Sequence, residues 1–407
     1  VASSDLPFGD DRARELARRC LPRLREEGLA PGGGDLSGVS ARRLAELWGG
    51  SGSIVEVTAS FCPRGAVRFV AKVIDLPGEG CSTDDCRTRD SYLVEASFYS
   101  NGHAGRLKSL GAACPAPLLV EQDTRHLTLC MTMLEGRSVR LLNKAQARAA
   151  LGWLARLHAA FWGPRADEAV DRGGLRPQGC FWHLDTRLEE LALVREDGFE
   201  GRLRKAAKGI DARLKADPHQ TVCHGDAKPE NMLFAADGSV SMFDFQYAGK
   251  APPSKDLAYC LFCAAGGMDE TVVEEHLRHY LSELQPRLEA QGFAAPSLPE
   301  LLASYALAVC DLARWMAGWR GWPSFRRAML ERCEAALDAI DGGQRWMGEE
   351  EYSEAVFEAF PLGGGVAACA AGGDGGLRDG SAARGAASLG PPLGRSRRGG
   401  PQGRETA

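Results

Sequence analysis

Three polar residues in the middle of the chain have the types and the spacing that phosphoryl transfer requires. The stretch "HGDAKPENMLF" contains Asp226 and, five residues later, Asn231, and "MFDFQ" contains Asp244 after a short turn. Transfer of a phosphoryl group from ATP needs a carboxylate near the attacking hydroxyl and hard oxygen ligands for a divalent cation. We interpret Asp226 as the base. A hairpin between Asn231 and Asp244 would bring two Mg²⁺ ligands together.

A second pair of charged residues lies upstream. Lys72 stands in the β-rich run "VAKVID", and Glu95 stands in the helical run "SYLVEASFY". An ATP site of the kinase type needs a strand lysine on the α- and β-phosphates and a helix glutamate that holds it. Either residue alone is typical of a protein surface. Together with the downstream motifs, the pair predicts an ATP-binding site.

The first third of the chain is predicted to form a small sheet with one packed helix. Apolar residues recur at helical spacing from Asp10 to Glu27, which indicates a helical extension. The runs "SIVEVTASF" and "RFVAKVID" predict an antiparallel hairpin. "SYLVEASFYSNG" predicts a helix, and "PLLVEQDTRHLTLCMTML" predicts two more strands.

From Asn143 onward the pattern changes to long helical segments, among them residues 188–214 and 298–319. Strand-like pieces in "VCHGD", "MLFAADG" and "VSMFDFQ" interrupt them. The predicted fold class is therefore α+β and bilobal, with a small β-rich N-lobe, a linker near residues 134–140 and a larger helical C-lobe. The predicted boundaries are 1–45 for the helical extension, 46–135 for the N-lobe and 136–362 for the C-lobe. Residues 363–407 are rich in Gly, Ala, Ser, Pro and Arg, which predicts a disordered tail.

Composition and charge exclude several classes of partner. The 407 residues are 44% hydrophobic and 25% charged, with a net charge of -5 and a pI near 6.0, so nothing favours nucleic acid as a partner. No apolar run approaches the length of a membrane span. Thirteen scattered cysteines favour reduced thiols. We expect a cytoplasmic protein, although the chain starts at Val1, so an upstream targeting segment could have been removed.

These motifs have a family resemblance. The order of Lys72, Glu95, "HGDAKPEN", "FDFQ" and "DLAYCL" resembles the aminoglycoside phosphotransferase and choline kinase superfamily. "LARLHAAFW" and "FDFQ" are similar to its CHK kinase-like branch, which includes ecdysteroid-kinase-like proteins. The resemblance spans about residues 49–322 and implies a protein-kinase-like fold with ATP and Mg²⁺ as cofactors. It also implies that His224 braces the catalytic loop and that Asp256 accepts hydrogen bonds from the loop's backbone.

The glycines of "WGGSGSIVEV" leave two readings open. They depart from the G-x-G-x-x-G pattern of protein kinases, so Gly49, Gly50 and Gly52 either cover the phosphates or form an ordinary turn. We take Gly50 and Gly52, with Met133 before the linker, as candidates for nucleotide contacts. Lys228, two residues after the base, either reaches the γ-phosphate or forms a surface ion pair.

Spacing separates a small-molecule kinase from a protein kinase. Protein kinases place an activation loop that ends in "APE" after their metal-binding aspartate, and peptide substrates lie along it. Here only "FQYAGKAPPSK" separates Asp244 from Asp256, which is too short for a peptide platform. We therefore expect a small acceptor with a hydroxyl group and no protein substrate. A catalytically weak pseudokinase that binds a nucleotide or ligand is the alternative, which the presence of all five polar residues disfavours.

The acceptor is expected to bind to the helical lobe. In "AVCDLARWMAGWRGW", Asp311, Trp315, Trp319 and Trp322 lie close to one helical face. An aromatic wall with a carboxylate could hold an apolar alcohol or a quaternary amine. Such a stripe is also common in hydrophobic cores. A weaker candidate for acceptor contact is "CFWHLDTRLEE", with Trp182 and His183.

Overall fold

The structure is a computed structural model that describes residues 9–47, 50–62, 65–78, 82–262, 270–320, 326–343 and 347–363. Three sequence expectations concern residues outside these ranges, namely Gly49, Trp322 and residues 364–407 of the tail. No helix formed by the described residues is long and apolar enough to cross a lipid bilayer.

The N-terminal lobe is built on one antiparallel sheet. Its elements are α1 (Asp10–Glu26), β1 (Asp35–Glu46), β2 (Gly52–Cys62), β3 (Ala66–Asp75), α2 (Thr83–Ser100), α3 (His103–Ser109), β4 (Pro117–Gln122) and β5 (His126–Thr132). The strands lie in the order β1-β2-β3-β5-β4, so β3 is central. On β3, Phe69 and Ala71 pack with Leu16 of α1. Because side chains alternate along a strand, Lys72 points to the opposite face, towards α2.

The strand β1 corrects one prediction. Helix α1 agrees with the predicted helical stretch, but the helical extension assigned to residues 1–45 is wrong from Asp35 onward. There the chain pairs antiparallel with β2 at the edge of the sheet. Arg42 and Arg43 lie within this largely exposed strand, which therefore lacks the alternation of apolar and polar residues that predicts a half-buried strand.

The C-terminal lobe is mainly helical. Its elements are α4 (Lys144–Ala160), α5 (Pro164–Asp171), α6 (Leu188–Leu193), α7 (Gly198–Lys215), β6 (Thr221–Cys223), β7 (Met232–Phe234), β8 (Val240–Met242), β9 (Gly249–Ala251), α8 (Ser254–Phe262), α9 (Glu270–Glu289), α10 (Leu298–Trp319), α11 (Arg326–Asp341) and α12 (Glu349–Ala359). Two short antiparallel pairs, β7 with β8 and β6 with β9, lie among the helices. The predicted α+β fold with a small β-rich lobe and a larger helical lobe is confirmed.

Candidate active site

The loop between β6 and β7 is held by a carboxylate at the start of α8. His224 and Gly225 donate their backbone N–H groups to Asp256, at 2.6 and 2.9 Å. The ring of His224 reaches the other way, with Nε2 3.1 Å from the carbonyl oxygen of Phe243. Burial opposes ionisation of Asp256, but its hydrogen bond with His158 and the nearby His224 keep its pKa below the ordinary value. The carboxylate therefore fixes the loop's backbone.

The carboxylate of Asp226 is buried, and only one of its two oxygens has a partner among the described residues. Its Oδ2 accepts a hydrogen bond of 3.0 Å from Asn231 and lies 2.8 Å from the ammonium of Lys228. Its Oδ1 has no hydrogen-bond partner among the residues that the structure describes. Burial raises the pKa of Asp226, and the charge of Lys228 only partly offsets this effect. One oxygen of a rigidly held, unusually basic carboxylate is thus available to a ligand.

The β7–β8 hairpin brings Asn231 beside Asp244. The N–H of Phe243 donates to the carbonyl oxygen of Asn231 at 3.1 Å, and Met232 pairs with Met242 in the next register position. Asp244 has a φ of 69°, which is uncommon for a residue other than glycine and is found at functional sites. The amide of Asn231 donates through its nitrogen to Asp226, so its oxygen and the Asp244 carboxylate remain as hard ligands. By donor chemistry this pair fits Mg²⁺.

Lys72 connects the sheet to this hairpin. Its ammonium is 2.6 Å from Glu95 of α2 and 3.2 Å from Asp244, and its side chain is 6% exposed. Burial would lower the pKa of Lys72, but the carboxylates of Asp244 and Glu95 raise it above the ordinary value. Burial raises the pKa of Glu95 to about 7, against the attraction of the Lys72 charge. Lys72 therefore stays charged between two carboxylates.

The other candidates for nucleotide contacts lie in the N-lobe. Gly50 belongs to the turn between β1 and β2 and has a φ of 74°. Gly52 has a φ of 149°, and a Cβ there would lie 2.0 Å from the carbonyl oxygen of Val73. Both positions therefore need glycine for backbone reasons alone. Met133 directly follows β5 and is partly buried. Contacts of these residues with a nucleotide stay a prediction.

The aromatic residues of α10 form a wall with a segment that precedes α6. Trp315 and Trp319 stack with ring centroids 5.1 Å apart, and Phe181 meets Trp315 edge-on at 4.8 Å. Trp315 is 6% exposed, whereas Trp319 is 50% exposed. Trp182 is fully buried and His183 nearly so. The wall therefore contains one exposed and one buried tryptophan. Phe181 also belongs to it, although the sequence pattern does not single this residue out.

Asp311 is buried, in contrast to Trp319. It is 2% exposed and lies 2.9 Å from the ammonium of Lys255 and 2.7 Å from the guanidinium of Arg314. Burial opposes its ionisation, but Lys255 and Arg314 lower the pKa of Asp311 to about 2. Its charge is thus compensated inside the lobe. Contact of Asp311 with an acceptor stays a prediction, and the two cations already occupy the carboxylate.

One other cluster has the composition of a metal site. Among the described residues, His158, Cys223 and Asp256 form the group whose possible ligand atoms lie within 4.8 Å of one another. His158 is already engaged, with its Nδ1 2.8 Å from the Tyr280 hydroxyl and its Nε2 3.2 Å from Asp256. All three residues are buried, and we assign them to the support of the catalytic loop.

Comparison with solved structures finds distant likenesses. One is a macrolide 2'-phosphotransferase from Brachybacterium faecium (18% identity, 77% of this chain and 96% of that chain, TM-score 0.40). A second is the choline kinase LicA from Streptococcus pneumoniae (16% identity, 78% and 99%, TM-score 0.43). A third is a microcompartment-associated aminopropanol kinase (14% identity, 82% and 98%, TM-score 0.46). No curated protein matches the chain significantly.

The comparison with protein families gives one match, which includes the loop between β6 and β7. Residues 103–291 match the model of a phosphotransferase enzyme family. The matched range contains Asp226, Asn231, Asp244 and Asp256, whereas Lys72 lies outside it. The part of the chain that carries the half-engaged aspartate and the candidate metal ligands is therefore similar to the phosphotransferase enzyme family.

Proposed function

We propose that this protein is an ATP- and Mg²⁺-dependent O-phosphotransferase that transfers the γ-phosphate to a hydroxyl group of a small molecule. The observation that carries the proposal is the free oxygen of Asp226, which is buried in a braced loop beside two hard oxygen ligands. The family match over residues 103–291 supports it independently. A placement in the CHK kinase-like branch is part of the proposal and rests on the sequence motifs alone.

Asp226 acts as the base in this proposal. An acceptor hydroxyl donates its hydrogen bond to Oδ1, while Asn231 and Lys228 keep the other oxygen fixed. Because burial raises the pKa of this carboxylate, it takes up the hydroxyl proton more readily than an exposed aspartate would. Lys228, which is one-third exposed, can exchange its contact with Asp226 for the γ-phosphate. A fixed base that orients the hydroxyl also supplies much of the advantage of proximity.

Lys72 binds the α- and β-phosphates, and Glu95 holds its ammonium in place. The turn with Gly50 and Gly52 covers the phosphates, and Met133 borders the nucleotide at the linker. Asn231 and Asp244 would hold Mg²⁺. The ion supplies positive charge that neutralises the transferring phosphoryl group. His224 and Asp256 support the loop without touching the reacting atoms.

The division into a helical extension, an N-lobe, a C-lobe and a C-terminal tail belongs to the same proposal, with the N-lobe beginning at β1. The short connection from Asp244 to Asp256, which includes β9, leaves no room for a peptide platform. We therefore propose a small acceptor and no protein substrate.

The test compares two substitutions of the same kind. Asp226→Asn should lower acceptor-dependent ADP release by about 10²- to 10⁴-fold, because it removes the base. Asp237→Asn, in the exposed turn of the β7–β8 hairpin, is the matched control and should leave turnover unchanged. Isothermal titration with MgATP should give similar affinities for both variants. Asp244→Ala should instead lose metal-dependent nucleotide binding.

Two results would contradict this function. Equal turnover by the wild type and Asp226→Asn would remove Asp226 from the reaction. MgATP binding without ADP release, across a panel of sterols, choline, ethanolamine, amino sugars and sugar alcohols, would favour the alternative of a nucleotide-binding pseudokinase.

A further inference from the structure

A segment that precedes α6 is docked directly against the catalytic loop. The N–H of Phe181 donates to the carbonyl oxygen of Gly225 at 3.3 Å, and the N–H of Cys180 donates to that of Tyr247 at 3.1 Å. The rings of Phe181 and Tyr247 lie 5.4 Å apart. Gly225 precedes the proposed base, so this segment lies next to the part of the loop that carries Asp226.

Two arginines accompany this aromatic pair. The guanidinium carbon of Arg176 lies 5.7 Å from the centre of the Tyr247 ring, and that of Arg187 lies 6.0 Å from the centre of the Phe181 ring. Burial and the carboxylates of Asp226 and Asp244 raise the pKa of Tyr247, while Arg187 and Arg176 oppose the shift. The two cations and the two carboxylates therefore lie within electrostatic range of one phenol.

The two arginines differ in how their charge is compensated. Arg187 donates to the carbonyl oxygen of Phe181 at 2.7 Å and to Glu190 at 3.3 Å. Arg176 forms no ion pair with any residue that the structure describes, and its buried Nε has no hydrogen-bond partner there. Arg176 is partly exposed; burial lowers its pKa, and the charge of the nearby Asp90 acts against this shift. A buried guanidinium N–H without a partner is costly, and it is expected where a ligand supplies that partner.

The main chain keeps Arg176 in this position. Its N–H donates to Ala248 at 3.2 Å, and its carbonyl oxygen accepts from Lys250 at 3.0 Å, so it is bridged to β9. The opposite charge that a cationic acceptor would need is not offered by Asp311, which Lys255 and Arg314 already neutralise. The unpartnered Nε of Arg176 therefore favours an anion over the quaternary amine that the sequence suggests beside an apolar alcohol.

We propose that the acceptor carries an oxyanion, either a carboxylate or a phosphate ester, which Arg176 binds while the acceptor hydroxyl meets Asp226. This inference rests on the proposed function. The planar guanidinium matches the two oxygens of a carboxylate or phosphate in a bidentate pair. Arg187 adds positive charge beside this pair. Arg176 is then the residue that determines specificity for charge.

The experiment uses probes that share a carbon frame and differ in charge. The six-carbon set is glucuronate, glucose 6-phosphate, glucose and glucosamine, and the three-carbon set is glycerate, glycerol 3-phosphate, glycerol and 3-aminopropane-1,2-diol. Thermal unfolding is measured for the full chain with the nucleotide site saturated by MgAMP-PNP. ADP release is measured in parallel with MgATP. We expect the anionic members alone to raise the melting temperature, and the carboxylate and phosphate arms identify which oxyanion is preferred.

Two variants remove one charge each. Arg176→Gln should abolish the stabilisation by anions and raise the acceptor KM by about 10- to 100-fold, as expected for one lost charge-assisted hydrogen-bonded pair, with the KM for ATP unchanged. Arg195→Gln, whose side chain is 70% exposed on the C-lobe, is the matched control and should behave as the wild type does.

The outcomes separate this inference from the proposed function. Preference for glucose or an amine, unchanged anion binding in Arg176→Gln, or no binding by any anionic probe would each overturn the inference. Turnover of an uncharged alcohol in that case would leave the kinase function standing. Anion binding that depends on Arg176, without any ADP release, would support the site and reject the proposed transfer.

Discussion

The two oxygens of the Asp226 carboxylate have different surroundings, and this difference matters more than the identity of the residue. Oδ2 is fixed by Asn231 and Lys228, so the carboxylate cannot rotate without losing both contacts. Oδ1 is buried without a partner in the described part of the chain. An unsatisfied buried acceptor is costly in a folded protein. It is therefore expected where a ligand completes the hydrogen bonds.

At the same scale, the pKa of Asp226 predicts the pH dependence of the reaction. The proposed base works only when ionised, and burial raises its pKa above the ordinary 3.8, so activity should be lost at a higher pH than for an exposed aspartate. Lys228→Gln removes a charge that lowers this pKa. The acidic limb of kcat/KM should therefore move to still higher pH, in a profile recorded at saturating MgATP.

Lys208→Gln, on the exposed surface of α7, is the control for Lys228→Gln and should leave the profile in place. An acidic limb that stays fixed, or moves to lower pH, in Lys228→Gln would mean that a group other than Asp226 controls the reaction.

Single residues also show what the sequence can predict. Asp226 and Asn231 lie in one short loop, so their spacing alone brings them together, and a strand lysine can meet a glutamate of the next helix for a similar reason. The pairing of Asp311 with Lys255 is harder to predict, because Lys255 is remote in sequence and nothing local marks the pair. Arg176 carries no motif at all. The role that we propose for it rests on its unpartnered Nε, which only three-dimensional packing reveals.

At the scale of elements, a periodic helix is predicted better than an edge strand. The range of α10 matches the predicted helical segment because Ser297 and Glu300 form a capping box before a long apolar run. The helical segment predicted from 188 to 214 is instead divided into α6 and α7 by residues 194–197. Tertiary contacts decide such breaks, as they decide the pairing of β1.

The two tryptophans of α10 should respond differently to removal. Trp315→Ala should lower the free energy of unfolding by about 3 to 5 kcal/mol, because its side chain is buried. Trp319→Ala should leave stability nearly unchanged, since half of that residue is exposed, and should raise only the acceptor KM. Chemical denaturation and steady-state kinetics measure the two effects. A stable Trp319→Ala protein with an unaltered acceptor KM would remove α10 from the acceptor site.

At the scale of the whole molecule, the chain after α12 is fastened by one buried arginine. Arg213 donates to the carbonyl oxygen of Phe360 at 2.5 Å and to that of Pro361 at 3.1 Å. A chain ending after Gly363 keeps both contacts, and the composition of residues 364–407 predicts no contribution to a core. Its melting temperature and nucleotide affinity should equal those of the full chain.

A chain ending after Ala359 is the matched comparison. It loses the two carbonyl acceptors of Arg213 and the buried ring of Phe360, and each unsatisfied buried group costs about 1 to 3 kcal/mol. Differential scanning calorimetry should show a melting temperature several degrees lower. If the chain ending after Gly363 also melted at a lower temperature than the full chain, residues 364–407 would contribute to stability.

The buried trio of Lys255, Asp311 and Arg314 has a consequence for how this protein can evolve. Replacing Asp311 leaves two buried cations without their counterpart, at a cost of about 3 to 5 kcal/mol, so mutational drift at this position is slow unless changes occur together. Trp319 has no such constraint. With the wall in its proposed role as an acceptor contact, a lineage could diversify its acceptor there while it inherits Asp311 and its two cations unchanged.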